Sequence, residues 1–132
     1  MYINQENYVD EAEKVIQNLK EKGKVNKRTG EKELRLTTSQ IRNLLAMTAD
    51  IYNEVMNQKN EELSEEICSR ISYLRIRFVY EAGRNSDVRD FVNESKVLDI
   101  LKDIQKKREN YILFSHYMEA LVAFHKYNNG KD

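Results

Sequence analysis

The sequence predicts an all-α, single-domain bundle of five or six helices, and three observations lead there. The chain has 132 residues with no proline and four glycines, so helix breakers are scarce. Apolar residues recur at spacings of three and four along most of its length. Charged residues make up 33% and apolar residues 40%, a balance that lets each helix bury one face and wet the other.

The first helix is expected over residues 7–21. Val9, Ala12, Ile16 and Leu19 mark its inner face, and Gly23 ends it. Glu11 and Glu13 lie early and Lys20 and Lys22 late, which matches the helix dipole. Residues 23–35 carry two glycines and many charges with little to bury, and read as a mobile charged loop. A basic arm touching nucleic acid is the sharper reading of the same segment.

The second helix has the clearest start. Thr37 and Gln40 have capping-box spacing ahead of an apolar run. Ile41, Leu44, Leu45, Thr48, Ile51, Tyr52, Val55 and Met56 then share one face. A third helix is expected from about residue 61 to 82, with Leu63, Ile67, Ile71, Leu74 and Phe78 as one apolar stripe. Tyr73, Ile76, Val79 and Tyr80 form a second stripe on a different side. Apolar residues on two sides predict a central helix sandwiched between neighbours. Gly83 fits the left-handed position just beyond its end.

Asn85 or Ser86 can cap a shorter helix with Val88, Phe91 and Val92 inward. A further stretch carries Val97, Leu98, Leu101 and Ile104, and residues 95–97 either break or continue the helix before it. The last helix is expected over about 109–127, on a broad arc of Tyr111, Phe114, Tyr117, Met118, Leu121, Val122 and Phe124, and NNGKD ends it.

The sequence offers no catalytic constellation, and the expectation is a protein that is not an enzyme and carries no cofactor. No glycine-rich phosphate loop lies between a strand and a helix. His116 and His125 are nine residues apart, about 180° around a helix, and cannot share a metal from one helix. The residues three before them are Leu113 and Val122, so no Glu-x-x-His di-iron motif exists. Glu61, Glu62, Glu65 and Glu66 suit the positive end of a helix. Cys68, the only cysteine, excludes an internal disulfide and reads as a core or boundary side chain. There is no apolar leader and no run of membrane-spanning length, so the expectation is a cytoplasmic protein with no membrane partner.

One constellation suggests a partner. Arg70, Arg77 and Arg84 are seven residues apart, which lines them along one stripe of the third helix, with Arg75 on another side. Tyr73 and Tyr80 lie beside the stripe. Guanidinium forks match phosphates, and both residue types stack on bases. The stripe can equally pair with acids of a neighbouring helix or form a protein interface. The 22 basic and 22 acidic residues balance, which counts against a protein that binds duplex DNA on its own.

Several segments, in order, resemble the Csm small subunit family of type III-A CRISPR effector complexes. They are NYVDEAEKVI (7–16), LTTSQIRNLL (36–45), SYLRIRFVYEAGR (72–84), VRDFVNESKVLDILKDI (88–104) and YMEALVAFHKY (117–127). The Leu-Arg-x-x-Phe-x-Tyr-x-Ala-Gly-Arg stretch is the most specific. The resemblance implies a helical subunit that does not cut RNA and stacks in several copies beside the backbone subunits. Its implied partners are the CRISPR RNA and target RNA, the Csm backbone and large subunits, and further copies of itself. It also implies RNA contacts at Arg42, Arg75, Arg77 and Arg84, with Lys126 as a further candidate. Asn43 departs from the second basic residue that follows Arg42 in some relatives. The competing reading is a helical protein–protein adaptor with no nucleic-acid contact.

Overall fold

A computed structural model describes residues 1–128, and it contains six helices and one small hairpin. The helices are α1 (Tyr8–Glu21), α2 (Thr38–Asn57), α3 (Glu65–Arg84), α4 (Ser86–Ser95), α5 (Val97–Asp103) and α6 (Arg108–Tyr127). The part of the predicted tail beyond Asn128 lies outside the described residues.

The all-α expectation holds, and the local signals explain most boundaries. Thr37 and Gln40 form the capping box: the Gln40 N–H donates to Thr37 Oγ1 at 3.2 Å, and the Thr37 N–H donates to Gln40 Oε1 at 2.9 Å. Asn85 caps α4 by accepting from the Asp87 and Val88 N–H groups. Lys96, in the left-handed conformation at φ 63°, breaks the chain between α4 and α5.

The core is one continuous cluster. Ile16, Ile41, Leu44, Val55, Phe78, Phe91, Ile100, Tyr111, Phe114, Tyr117 and Leu121 are among its most buried members. α6 runs through the middle against α1 and α2, and its buried residues spread over most of its circumference. Two tyrosines in it use their polar ends: Tyr111 Oη donates to the Thr48 carbonyl at 2.7 Å and Tyr117 Oη to the Ser95 carbonyl at 2.8 Å. Burial pushes both phenols far above their ordinary range, so they remain protonated donors.

Five expectations are corrected. The charged segment 23–35 contains an antiparallel hairpin of β1 (Lys24–Val25) and β2 (Lys32–Glu33), with Lys24 opposite Glu33 and Val25 opposite Lys32. Beyond it, Leu34 and Leu36 are buried while Arg35 is exposed, the period of an extended strand. The third helix begins at Glu65, not near residue 61. Ser64 caps it, and Leu63 reaches the core from the preceding loop. Gly83 lies inside α3 and does not adopt a left-handed conformation; Asn85 is the cap. Finally, α3 is not sandwiched. Its first stripe is buried, but Tyr73, Ile76, Val79 and Tyr80 are 60%, 60%, 51% and 55% exposed. α6 holds the central place instead. Val9 and Met56, expected to face inward, are also exposed.

Candidate nucleic-acid interface

α2 and α6 are antiparallel: Arg108 at the start of α6 meets the end of α2, and His125 near the end of α6 meets Leu36 just before α2. α3 is antiparallel to α2 as well, since Arg70 pairs with Glu54 while Arg84 shares a groove with Ser39. The start of α2 and the ends of α3 and α6 therefore gather at one end of the bundle.

A groove opens there between α2 and α3. Ser39, Gln40, Asn43 and Leu44 line one wall and Arg77, Glu81 and Arg84 the other, with Val88 at the end. Both arginines reach Glu81: Arg77 Nη2 lies 3.6 Å and Arg84 Nη1 3.7 Å from its Oε1. The same two guanidinium carbons lie 5.4 and 5.8 Å from the Tyr80 ring centre, within cation–π range. The Arg77 and Arg84 side chains are 40% and 62% exposed, and Glu81 only 15%. One carboxylate thus faces two guanidiniums, and the groove keeps an excess positive charge open to solvent. Exposed arginine forks beside the groove suit the phosphates of an RNA backbone.

The stripe of Arg70, Arg77 and Arg84 is present, but its members differ. Arg70 pairs directly with Glu54 of α2 across a second groove, lined by Met47, Asp50, Ile51, Tyr73, Leu74 and Arg77. Arg77 and Arg84 are the pair that converge. Arg42 is exposed beside Asn43, on the α2 side of the first groove, and does not line it. Lys126 is exposed next to His125, at the same end of the bundle. Arg75 is exposed but lies about 160° around α3 from Arg77, on the opposite flank. None of Arg42, Arg75 and Lys126 makes an ion pair among the described residues.

Two other arginines serve the fold. Arg89 donates to the Ala82 and Gly83 carbonyls, and Arg108 to those of Val55 and Gln58. These carbonyls lie at the C-terminal ends of α3 and α2, where a cation is favourable, and the Val55 carbonyl also accepts from the Gln58 N–H at 3.1 Å. Sequence reasoning met Asn43 only as a departure beside Arg42 and Glu81 only as the one acid among the arginines of residues 70–84, and did not join either to a groove walled by α2. Glu81 carried a signal: it stands four residues after Arg77 and three before Arg84, the spacings at which helical side chains meet.

The histidines and the cysteine take structural places. His125 is buried, and its Nε2–H donates to the Leu36 carbonyl at 2.7 Å. Burial, foremost, pushes its pKa below the ordinary 6.5, although the Leu36 hydrogen bond acts the other way. His116 is half-buried between the rings of Tyr8 and Tyr52. Cys68 is half-buried against the core, and burial raises its thiol pKa. Among the described residues, no group of three or more His, Cys, Asp or Glu is arranged to hold a metal ion. No helix of the described residues is long and apolar enough to cross a membrane.

Comparison with known proteins adds a consistent picture. Residues 5–131 match the family described as Csm2 Type III-A. A Streptococcus thermophilus protein named CRISPR system Cms protein Csm2 is 42% identical over 130 residues, covering 98% of each chain. A protein of the same name from Mycobacterium tuberculosis (strain H37Rv) is 37% identical over 132 residues, covering 100% of this chain and 99% of the relative. One from Enterococcus italicus is 37% identical over 94 residues, 70% of this chain and 67% of the relative.

Proposed function

The chain belongs to the Csm2 type III-A family, and from that premise we propose that it is the non-catalytic small subunit of a type III-A CRISPR effector complex, stacked in several copies along the guide RNA–target RNA duplex. In this reading it works with the Csm backbone and large subunits, in the cytoplasm. It stabilises target binding through contacts to the RNA backbone that do not depend on sequence, while base pairing supplies the specificity.

The observation that carries the RNA contact is the convergence of Arg77 and Arg84 on one outward groove beside Tyr80. Arg42 and Lys126 are further exposed cations at the same end of the bundle, and Arg75 serves a strand or subunit on the other flank. Net neutrality fits a subunit that stacks on its own copies, since a single-sign surface would repel its neighbour.

A second reading is favoured by the exposed Tyr73, Ile76, Val79 and Tyr80, because an apolar helix face of this kind suits a protein partner. The chain is then a helical adaptor without nucleic-acid contact. Reconstituted complex carrying Arg77→Ala with Arg84→Ala separates the two. Under the RNA reading the variant assembles normally but loses target-RNA affinity by about tenfold, and its salt dependence becomes shallower. Unchanged retention at every salt concentration favours the adaptor.

A further inference from the structure

We propose that Glu81 is a built-in competitor for the RNA phosphate, a carboxylate that holds Arg77 and Arg84 in place in the free protein and yields both guanidiniums when a strand enters the groove. The inference rests on the reading of this groove as an RNA contact and adds to it a step of exchange.

Three observations carry it. First, a single oxygen, Glu81 Oε1, lies between both guanidiniums, at 3.6 and 3.7 Å. Those separations give Coulomb attraction without a close hydrogen bond, and among the described residues no hydrogen bond to Glu81 accompanies either pair. A phosphate with several acceptor oxygens can form charge-assisted bonds of about 2.7–2.9 Å to the same donors. Shorter, charge-assisted bonds favour the phosphate in the exchange. Second, each guanidinium has a further contact that does not involve the acid, its carbon lying 5.4 or 5.8 Å from the Tyr80 ring centre. Third, Glu81 is the most enclosed of the three charged groups, whereas both arginines open to solvent along the groove. An incoming phosphate therefore meets the guanidiniums before the carboxylate.

The consequence is a trade. The acid lowers the groove's attraction for any anion, which weakens stray binding to RNA outside the assembled complex. It also keeps two long side chains ordered, so less rotamer freedom is lost on binding.

The test is a titration of the full chain against a fluorescently labelled oligouridine at several salt concentrations. The variants are Glu81→Gln, Arg77→Ala with Arg84→Ala, and Glu119→Gln, which adds the same charge on the distant exposed face of α6. The expected result is that Glu81→Gln binds about three- to tenfold more tightly and its log–log salt slope steepens by about 0.7, as for one more phosphate neutralised on a single strand. Glu119→Gln gains less than Glu81→Gln, and the double arginine variant loses affinity. If the arginine variant weakens binding while Glu81→Gln is unchanged or weaker, Glu81 only positions the arginines and the competitor role is wrong. Equal gains in Glu81→Gln and Glu119→Gln also overturn it, because net charge then explains the effect. No change in any variant overturns both the inference and the RNA reading on which it stands.

Discussion

At the scale of single residues, the buried polar groups show how a helical bundle fixes its register. Tyr111, Tyr117 and His125 each direct one donor at a backbone carbonyl in a distant part of the chain. A buried, unpaired polar group is costly, so each bond excludes neighbouring arrangements of the helices. His125 also makes stability depend on pH. Its folded pKa is depressed, so the unfolded chain binds more protons as pH falls below about 6.5, and stability drops with it. The stabilising term is present above that value and fades towards the lower folded pKa. We expect the urea midpoint to fall more between about pH 7.5 and pH 5.5 in the wild type than in His125→Gln, whose amide can still donate to Leu36. Equal pH dependence in the two proteins contradicts the assignment. His125 stands four residues after Leu121 and seven after Met118, so its place on the inner face of α6 is readable from spacing. Its acceptor is not, since Leu36 lies 89 residues away.

At the scale of elements, helix periodicity was the reliable signal and surface coverage was not. The starts of α2 and α4 follow from Thr37, Gln40 and Asn85, whose capping chemistry is local. The two-sided apolar pattern of α3 suggested burial on both sides. A single chain cannot reveal whether a second apolar stripe is covered by its own fold or left for another molecule. The hairpin was hidden for the opposite reason: its strands have two residues each and are mostly charged. Only the alternation of Leu34, Arg35 and Leu36 hinted at extended chain. Gly83 shows how a strong local rule can mislead. It has the residue type of a helix terminator but sits inside α3, where Asn85 and Arg89 handle the end of the helix. A Cβ added there meets no atom within 4 Å, so Gly83→Ala is expected to stabilise the protein by about 0.5–1 kcal/mol. Thermal unfolding should shift upward by a few degrees. A lower midpoint contradicts the helical backbone of Gly83 in the last turn of α3.

At the scale of the whole molecule, antiparallel packing of α2 with α3 and α6 brings charges from distant parts of the chain to one end. The bundle itself was legible in the sequence because every helix advertises an inner face. The site was legible only in part: heptad spacing named Arg77 and Arg84 and set Arg75 on another side of α3, but it did not show the α2 wall opposite them. The direct test of the proposed RNA contact is chemical modification of arginines by phenylglyoxal in the assembled complex, with and without target RNA, read residue by residue by mass spectrometry. The account predicts that target RNA protects Arg77 and Arg84 together. Equal modification of both residues in the two states would contradict it.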